Sequence, residues 1–251
     1  MLFRHGMLAA LALVAACGTK DAAGPLVASG STGRIRFVNV ITDTTRGRVN
    51  AILENVPFGV NLTYTQSTPA TLPSPSTALY SAILSGSRSL VLKRTADTNA
   101  TVAVIPITID ANQDRTVYAV GGAGSSTVTS FVTTDTNTAV PSAGTRLRIV
   151  DLSPTAGAVD VFITAAAADL SAATPVASNV KNQGASGYLT LAPGTYSVRT
   201  VPAGTAPAAR GAAVSITLSG LALAGGAART IVLADNNVGG APLRAFVLTD
   251  Q

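Results

Sequence analysis

The chain has 251 residues with 17 Lys and Arg against 12 Asp and Glu, one His, one Cys and no Trp, and only 12% of its residues are charged. The basic residues are scattered, which argues against nucleic-acid binding, because that function needs a clustered basic face with stacking aromatic rings. A single Cys excludes an intramolecular disulfide, and the many Val, Ile, Thr, Ser and Gly residues favour strands and turns over helices.

Residues 1–18 have the layout of a secretory signal. Arg4 supplies the positive start, an apolar run of about ten residues follows, and small residues precede Cys17. The apolar run is shorter than the roughly 20 residues that a spanning helix needs. Val14-Ala15-Ala16-Cys17 resembles the lipobox of bacterial lipoproteins, which implies cleavage before Cys17 and its acylation. The alternative is an ordinary secretory signal that ends near a cysteine.

The residues after Cys17 predict an anchored tether. In the lipoproteins that this segment resembles, Asp at the next position favours the inner membrane, and this chain has Gly18 there. Up to residue 32 the chain is rich in small residues and turn formers, as in flexible linkers. We therefore expect a signal peptide at 1–16, a lipidated tether at 17–32, and a cell-envelope protein held in the outer membrane through N-terminal acyl chains.

The predicted mature chain lacks the side chains that most enzymes use. Removal of residues 1–16 takes away the only His and both Met residues. Without His, and with its Cys acylated, the chain cannot form a Ser-His-Asp triad, a Cys-His pair, or the usual zinc or haem site. The sequence therefore predicts a protein that is not an enzyme, with no catalytic residues, no cofactor and no metal.

Two acidic patterns keep other chemistry open. Asp151 and Asp160 are candidates for the paired carboxylates of a hydrolase, although Asp151 is also placed to close the turn that follows it. Asp110, Asn112 and Asp114 have the alternate spacing of a calcium loop, but the Gly and the distal Glu of such a loop are absent. A weakly bound cation at this turn is the remaining alternative.

The chain contains an internal repeat. Six segments recur in the same order: 34–40 with 146–152, 49–53 with 159–163, Asn55-Val56 with Asn179-Val180, Tyr80 with Tyr188, 115–117 with 229–231, and 131–135 with 246–250. Because chance does not preserve such an order, the sequence predicts two modules, at 33–135 and 145–251, joined by a linker at 136–144.

Each module reads as a series of short strands. Apolar and polar residues alternate in runs such as 214–218, and turn clusters such as 192–194 separate the runs. The alternation shifts parity after Pro106, which predicts an edge strand or a bulge. Seven or eight runs in about 100 residues predict an antiparallel β-sandwich, so the expected fold is all-β with two tandem sandwiches.

Part of the chain resembles a known family. The segments 148–154, 159–161, 179–180, 186–198 and 201–204 are similar to the bacterial envelope family called domain of unknown function 4397, although Asn182-Gln183 stands where that family usually has Phe-Gly. The first module departs from the pattern, with Leu84-Ser85-Gly86 where the family prefers Pro-x-Gly. The resemblance implies an immunoglobulin-like fold in secreted or lipid-anchored proteins, and it implies no established activity.

These observations favour a lipid-anchored envelope protein that acts as a non-enzymatic structural or binding module. Its expected partners are the membrane and either an envelope glycan or another envelope protein, with no nucleic acid. The alternative is a carbohydrate-binding or adhesive surface module. Tyr64 and Tyr80 flank the proline-rich insert of the first module and are the candidate ligand contacts. Tyr188 is expected to be a packed aromatic residue with a bonded hydroxyl.

Overall fold

The computed structural model describes residues 30–69 and 78–251, so Cys17 and the signal segment lie outside the described residues. Residues 31–251 form one compact unit. No helix among the residues described has the length and the apolar character needed to span a membrane.

The first half of this compact unit, here called the first unit, contains β1 to β9. Their bounds are β1 Thr32–Ile41, β2 Val49–Leu53, β3 Val56–Leu62, β4 Ser67–Thr68, β5 Ser81–Leu84, β6 Gly86–Arg94, β7 Asp97–Ile109, β8 Asp114–Gly121 and β9 Val128–Asp135. One sheet has the order β4-β1-β8-β9 with β5 also paired to β1, and the other has the order β3-β2-β6-β7. A short 3₁₀ helix, Ala123–Ser125, connects β8 to β9.

The second unit repeats this arrangement strand for strand. Its strands are β10 Thr145–Asp151, β11 Val159–Thr164, β12 Ala177–Val180, β13 Gly184–Ala185, β14 Leu189–Leu191, β15 Gly194–Pro202, β16 Ile216–Leu223, β17 Ala228–Ala234 and β18 Arg244–Thr249. The sheets have the orders β13-β10-β17-β18, with β14 on β10, and β12-β11-β15-β16. The prediction of an all-β chain with two tandem units, each built from two sheets, is confirmed.

The sequence predicts antiparallel sheets, but each unit contains one parallel pair of strands. β1 pairs with β8 in parallel, and β10 pairs with β17 in parallel. Parallel neighbours need a long connection. In the first unit this connection, between β1 and β8, includes the four strands of the other sheet. The first two strands of each unit also lie in different sheets, whereas in an immunoglobulin constant domain they share one.

Strand register corrects one of the repeat matches. Val49 lies opposite Leu62, and its counterpart Val159 lies opposite Val180. The structural counterpart of Val180 is therefore Leu62, and the sequence match of Val180 with Val56 was wrong. Each pairing contains a β-bulge, whose extra residues shift the strand register in a way that a sequence alignment does not show.

The residues that precede Leu62 and Val180 support this corrected match. Asn61 has a φ of 55° and Asn179 a φ of 53°, a left-handed conformation that Asn tolerates better than most residues. Each donates its backbone N–H to a β-strand side chain, Asn61 to Asn50 at 2.8 Å and Asn179 to Asp160 at 2.9 Å. The repeated feature is thus a left-handed residue at a strand irregularity, with its backbone N–H bound by one side-chain oxygen.

In the sheets β4-β1-β8-β9 and β13-β10-β17-β18, here called the inner sheets, the central strands β1, β8, β10 and β17 are buried on both faces. In β1, Phe37 and Ile41 face the core of the first unit, and Val38 and Val40 face the second unit. This second group belongs to a shared core between the two inner sheets: Val38, Val40, Tyr118, Val120, Val150, Leu152, Val232, Ala234 and Leu248. Burial on both faces explains the nearly continuous apolar runs of these strands.

The edge-strand prediction at Pro106 is confirmed. Among the described strands β7 pairs with β6 alone, and Pro106 lies on this outermost strand of its sheet. Proline has no N–H to donate to a neighbouring strand, so an edge position tolerates it.

Candidate functional site

Two buried ion pairs cross the boundary between the units. Arg36 on β1 donates to Asp250 at 2.8 Å, and Arg148 on β10 donates to Asp135 at 2.6 Å. The four side chains are at most 4% exposed. Each unit therefore gives an arginine from its first strand to the carboxylate that follows or ends the last strand of the other. Such reciprocity is the pattern of a twofold-symmetric dimer, here within one chain.

Hydroxyl groups complete the coordination of these carboxylates. Thr116 donates to Asp135, and its counterpart Thr230 donates to Asp250 at 2.6 Å. The Tyr80 hydroxyl also donates to Asp135, at 2.8 Å. Buried charges are tolerated when they are paired and their remaining lone pairs are satisfied, which is the case for both carboxylates.

Tyrosine rings cover the two arginines. The guanidinium of Arg36 lies 4.7 Å from the ring centre of Tyr80, and that of Arg148 lies 4.8 Å from the ring centre of Tyr188. Burial opposes the charge on Arg36, but the oxygens of Tyr80 and Asp250 outweigh burial and raise its pKa. Burial raises the pKa of Tyr188 to about 12, so its hydroxyl stays protonated.

Tyr80 is thus placed inside the protein. It is 9% exposed, its ring contacts Arg36 and its hydroxyl binds Asp135. Tyr188 is half-buried, with its hydroxyl 3.5 Å from Asp250 and a guanidinium on its ring, which agrees with its expected packing role. Of the two candidate ligand contacts, Tyr80 is therefore buried at the interface, whereas Tyr64 lies at a separate cleft.

Tyr64 lies at a cleft of about 310 Å³ between the two units. The ring packs against the shared core, and the hydroxyl donates to the backbone oxygen of Asp235 at 2.5 Å. Burial raises the pKa of Tyr64, while the nearby charge of Arg244 acts in the opposite direction. Part of the residue remains accessible, so Tyr64 stays a candidate ligand contact.

The cleft carries excess positive charge. Asp43 on its wall accepts hydrogen bonds from the Thr45 backbone at 2.8 Å and from Arg46 at 2.6 Å, which hold the pKa of Asp43 well below its usual range against the opposing effect of burial. Arg46 neutralises this carboxylate. Arg48 and Arg244 are exposed, and neither pairs with a carboxylate within residues 30–69 and 78–251.

The two aspartates considered for hydrolysis hold backbone turns. Asp151 accepts the backbone N–H of Ser153 at 2.8 Å, which confirms that it closes the following turn. Asp160 accepts the N–H groups of Asn179 at 2.9 Å and Gly204 at 3.2 Å. Both carboxylates are buried among their own unit's strands and loops.

The two aspartates of the 110–114 segment are paired with arginines. Asp110 pairs with Arg115, and Asp114 pairs with Arg34. In the part of the chain that the structure describes, no group of three His, Cys, Asp or Glu side chains is arranged to hold a metal ion.

Comparison with known families matches residues 33–162 to the family described as Domain of unknown function (DUF4397). The match covers more than half of the 251 residues. The chain belongs to the DUF4397 family. The matched stretch contains the first unit and extends through most of β11, so it includes the module in which the sequence resemblance had been the weaker one.

Other comparisons add no functional information. A leucine-rich repeat protein from Bacteroides thetaiotaomicron VPI-5482 matches with 11% identity and a TM-score of 0.17, over 82% of this chain and 26% of that one. This DUF4397 chain thus spans about a quarter of that protein, and a similarity at this TM-score carries no argument. No curated protein matches the chain.

Proposed function

We propose that this DUF4397 protein is a lipid-anchored component of the cell envelope, held at the outer membrane through Cys17, that acts as a non-enzymatic structural or binding module. The observation that supports this proposal best is the reciprocal pair of buried contacts, Arg36 with Asp250 and Arg148 with Asp135. These contacts join two β-units into one rigid body, which suits a spacer or a binding platform.

The rigidity has a physical cause. Sliding one unit over the other would expose the shared core and break both ion pairs between the units. Removal of one partner from a buried pair typically costs about 3 to 5 kcal/mol, so movement that breaks both pairs is strongly opposed. A body of this kind holds its own contact surfaces in a fixed geometry.

The anchor is tested by growing cells with an alkyne-labelled fatty acid. The wild-type protein is expected to carry the label at Cys17, and Cys17→Ala is expected to lose it, because no other cysteine is present. Gly18→Asp serves as the matched control for membrane sorting. This variant should retain the label and move to the inner-membrane fraction. An unlabelled wild-type protein that keeps its initial Met in the cytosol would refute the proposal.

A carbohydrate-binding role is the second candidate, and the cleft beside Tyr64 favours it. The cleft is lined by residues of both units and combines an aromatic ring with exposed polar groups. A glycan array with wild type and Tyr64→Ala tests this role. Binding that the substitution abolishes supports it, and an array without any binding contradicts it.

A further inference from the structure

The arginines of the cleft break the symmetry between the units. Arg48 directly precedes β2, and the residue that directly precedes β11 is Ala158. Arg244 lies opposite Ala234 on β18, and Thr129 holds the corresponding place on β9, opposite Val120. Arg36 and Arg148 of the shared interface are counterparts of each other, whereas Arg48 and Arg244 have no arginine at the equivalent position of the other unit. Duplication of the fold therefore does not explain them.

The two guanidinium groups also lack internal partners. Both belong to exposed residues, and within the described ranges the Arg48 and Arg244 side chains form no ion pair, while the acidic Asp43 beside them is already neutralised by Arg46. A guanidinium presents a planar fork of N–H donors that matches a carboxylate or phosphate. Two such groups at one cleft indicate an anionic ligand.

The remaining lining indicates the size and polarity of that ligand. The volume of about 310 Å³ is at the lower end of the range for small-molecule sites, roughly 300 to 1,000 Å³. Thr44 and Asn237 offer a hydroxyl and an amide, and the half-buried Tyr64 forms part of one wall. This combination fits a small, hydroxyl-rich molecule with one charged group better than it fits an inorganic anion or an extended chain.

We propose that the cleft binds an acidic sugar residue, with its carboxylate between Arg48 and Arg244. The sugar hydroxyls bond to Thr44 and Asn237, and one face of the ring lies against Tyr64. This inference rests on the proposed function of the protein as an envelope binding module, and it names the class of glycan.

Calorimetric titration of the purified full chain tests the assignment. A galactose disaccharide in which one residue is galacturonate is the probe, and the neutral galactose disaccharide is its matched control. We expect binding of the acidic probe only, and a weakening of about tenfold or more in Arg48→Gln and in Arg244→Gln, since each loses a charge-assisted hydrogen bond. Binding is also expected to weaken as salt is added, because salt screens exposed charges.

Lys181→Gln provides the control for net charge, because Lys181 is exposed on the second unit and does not line the cleft. It should bind the probe like the wild type, and thermal unfolding should show that all three variants remain folded. Equal binding of the neutral disaccharide, equal binding of inorganic phosphate, unchanged affinity in both Arg variants, or no binding of the acidic probe would each overturn the assignment. The fatty-acid labelling of Cys17 is independent of these outcomes, so failure here leaves the anchor standing.

Discussion

Asp151 occupies in the second unit the position that Asn39 holds in the first. Each lies on a central strand of an inner sheet and accepts the backbone N–H of the second residue after it, Asn39 that of Ile41 at 3.1 Å and Asp151 that of Ser153 at 2.8 Å. The side-chain amide of Asn39 also donates to two backbone oxygens. The matching Oδ2 of Asp151 is buried and has no hydrogen-bond partner among the described residues.

A carboxyl group in this place can donate a hydrogen bond only when it is protonated. Burial raises the pKa of Asp151 to about 7, and the charge of Asp235 contributes in the same direction, from an ordinary value of 3.8. The folded state therefore holds a proton that the unfolded state releases between about pH 4 and pH 7. Across that interval the free energy of unfolding falls as the pH rises, and the contribution is constant below and above it.

We expect Asp151→Asn to stabilise the protein at neutral pH and to remove this pH dependence. The raised pKa corresponds to about 4 kcal/mol between pH 4 and pH 7, at about 1.36 kcal/mol for each pH unit. Urea unfolding of wild type and variant at a series of pH values measures the difference, in which the contributions of the other carboxylates cancel. Two parallel stability curves would contradict the prediction.

Arg148→Met should destabilise the protein strongly. The substitution removes the close partner of Asp135 and leaves that carboxylate buried, with Arg36 at 3.8 Å as its remaining cation. Loss of one member of a buried pair costs about 3 to 5 kcal/mol, and the distant cation is expected to keep the loss near the lower end.

A double-mutant cycle with Asp135→Asn distinguishes this interaction from lost packing. If the pair matters, the variant with both changes should lose less stability in urea unfolding than the sum of the two single losses. Strict additivity would show that Arg148 and Asp135 do not stabilise each other.

The two interface tyrosines should respond differently to loss of the hydroxyl. Tyr80 donates to Asp135 at 2.8 Å, whereas the hydroxyl of Tyr188 lies 3.5 Å from Asp250. Hydrogen bonds to charged groups contribute about 1.5 to 3 kcal/mol when short, and little at the longer distance. Tyr80→Phe should therefore lower the free energy of unfolding by about 1.5 to 3 kcal/mol, while Tyr188→Phe serves as the comparison with a smaller loss. Equal losses in the two variants would refute the assignment.

Some of the interface was present in the sequence without being recognisable as an interface. Arg36 and Arg148 occur in one pair of repeated segments, and Asp135 and Asp250 end another. The repeat predicted that these residues hold equivalent positions. It did not predict which residue each arginine would contact, because these contacts cross from one unit to the other. The alternation of side chains shows which face of a strand a residue lies on, and it does not show what packs against that face.

The amino-acid sequence by itself determined the duplication, the strand-rich character and the turn held by Asp151. These features depend on local chemistry: side-chain alternation, turn-forming residues and a short polar side chain beside its own backbone. The sequence also placed Tyr64 among the candidate ligand contacts.

Only the tertiary structure decided the parallel pairing of β1 with β8, the equivalence of Asn61 with Asn179, and the cleft that joins Arg48 to Arg244. Each depends on residues far apart in the chain, whose meeting is set by strand register and by the packing of one sheet on another. A bulge shifts register without altering composition, and two arginines separated by 196 positions form one site only because the inner sheets pack face to face.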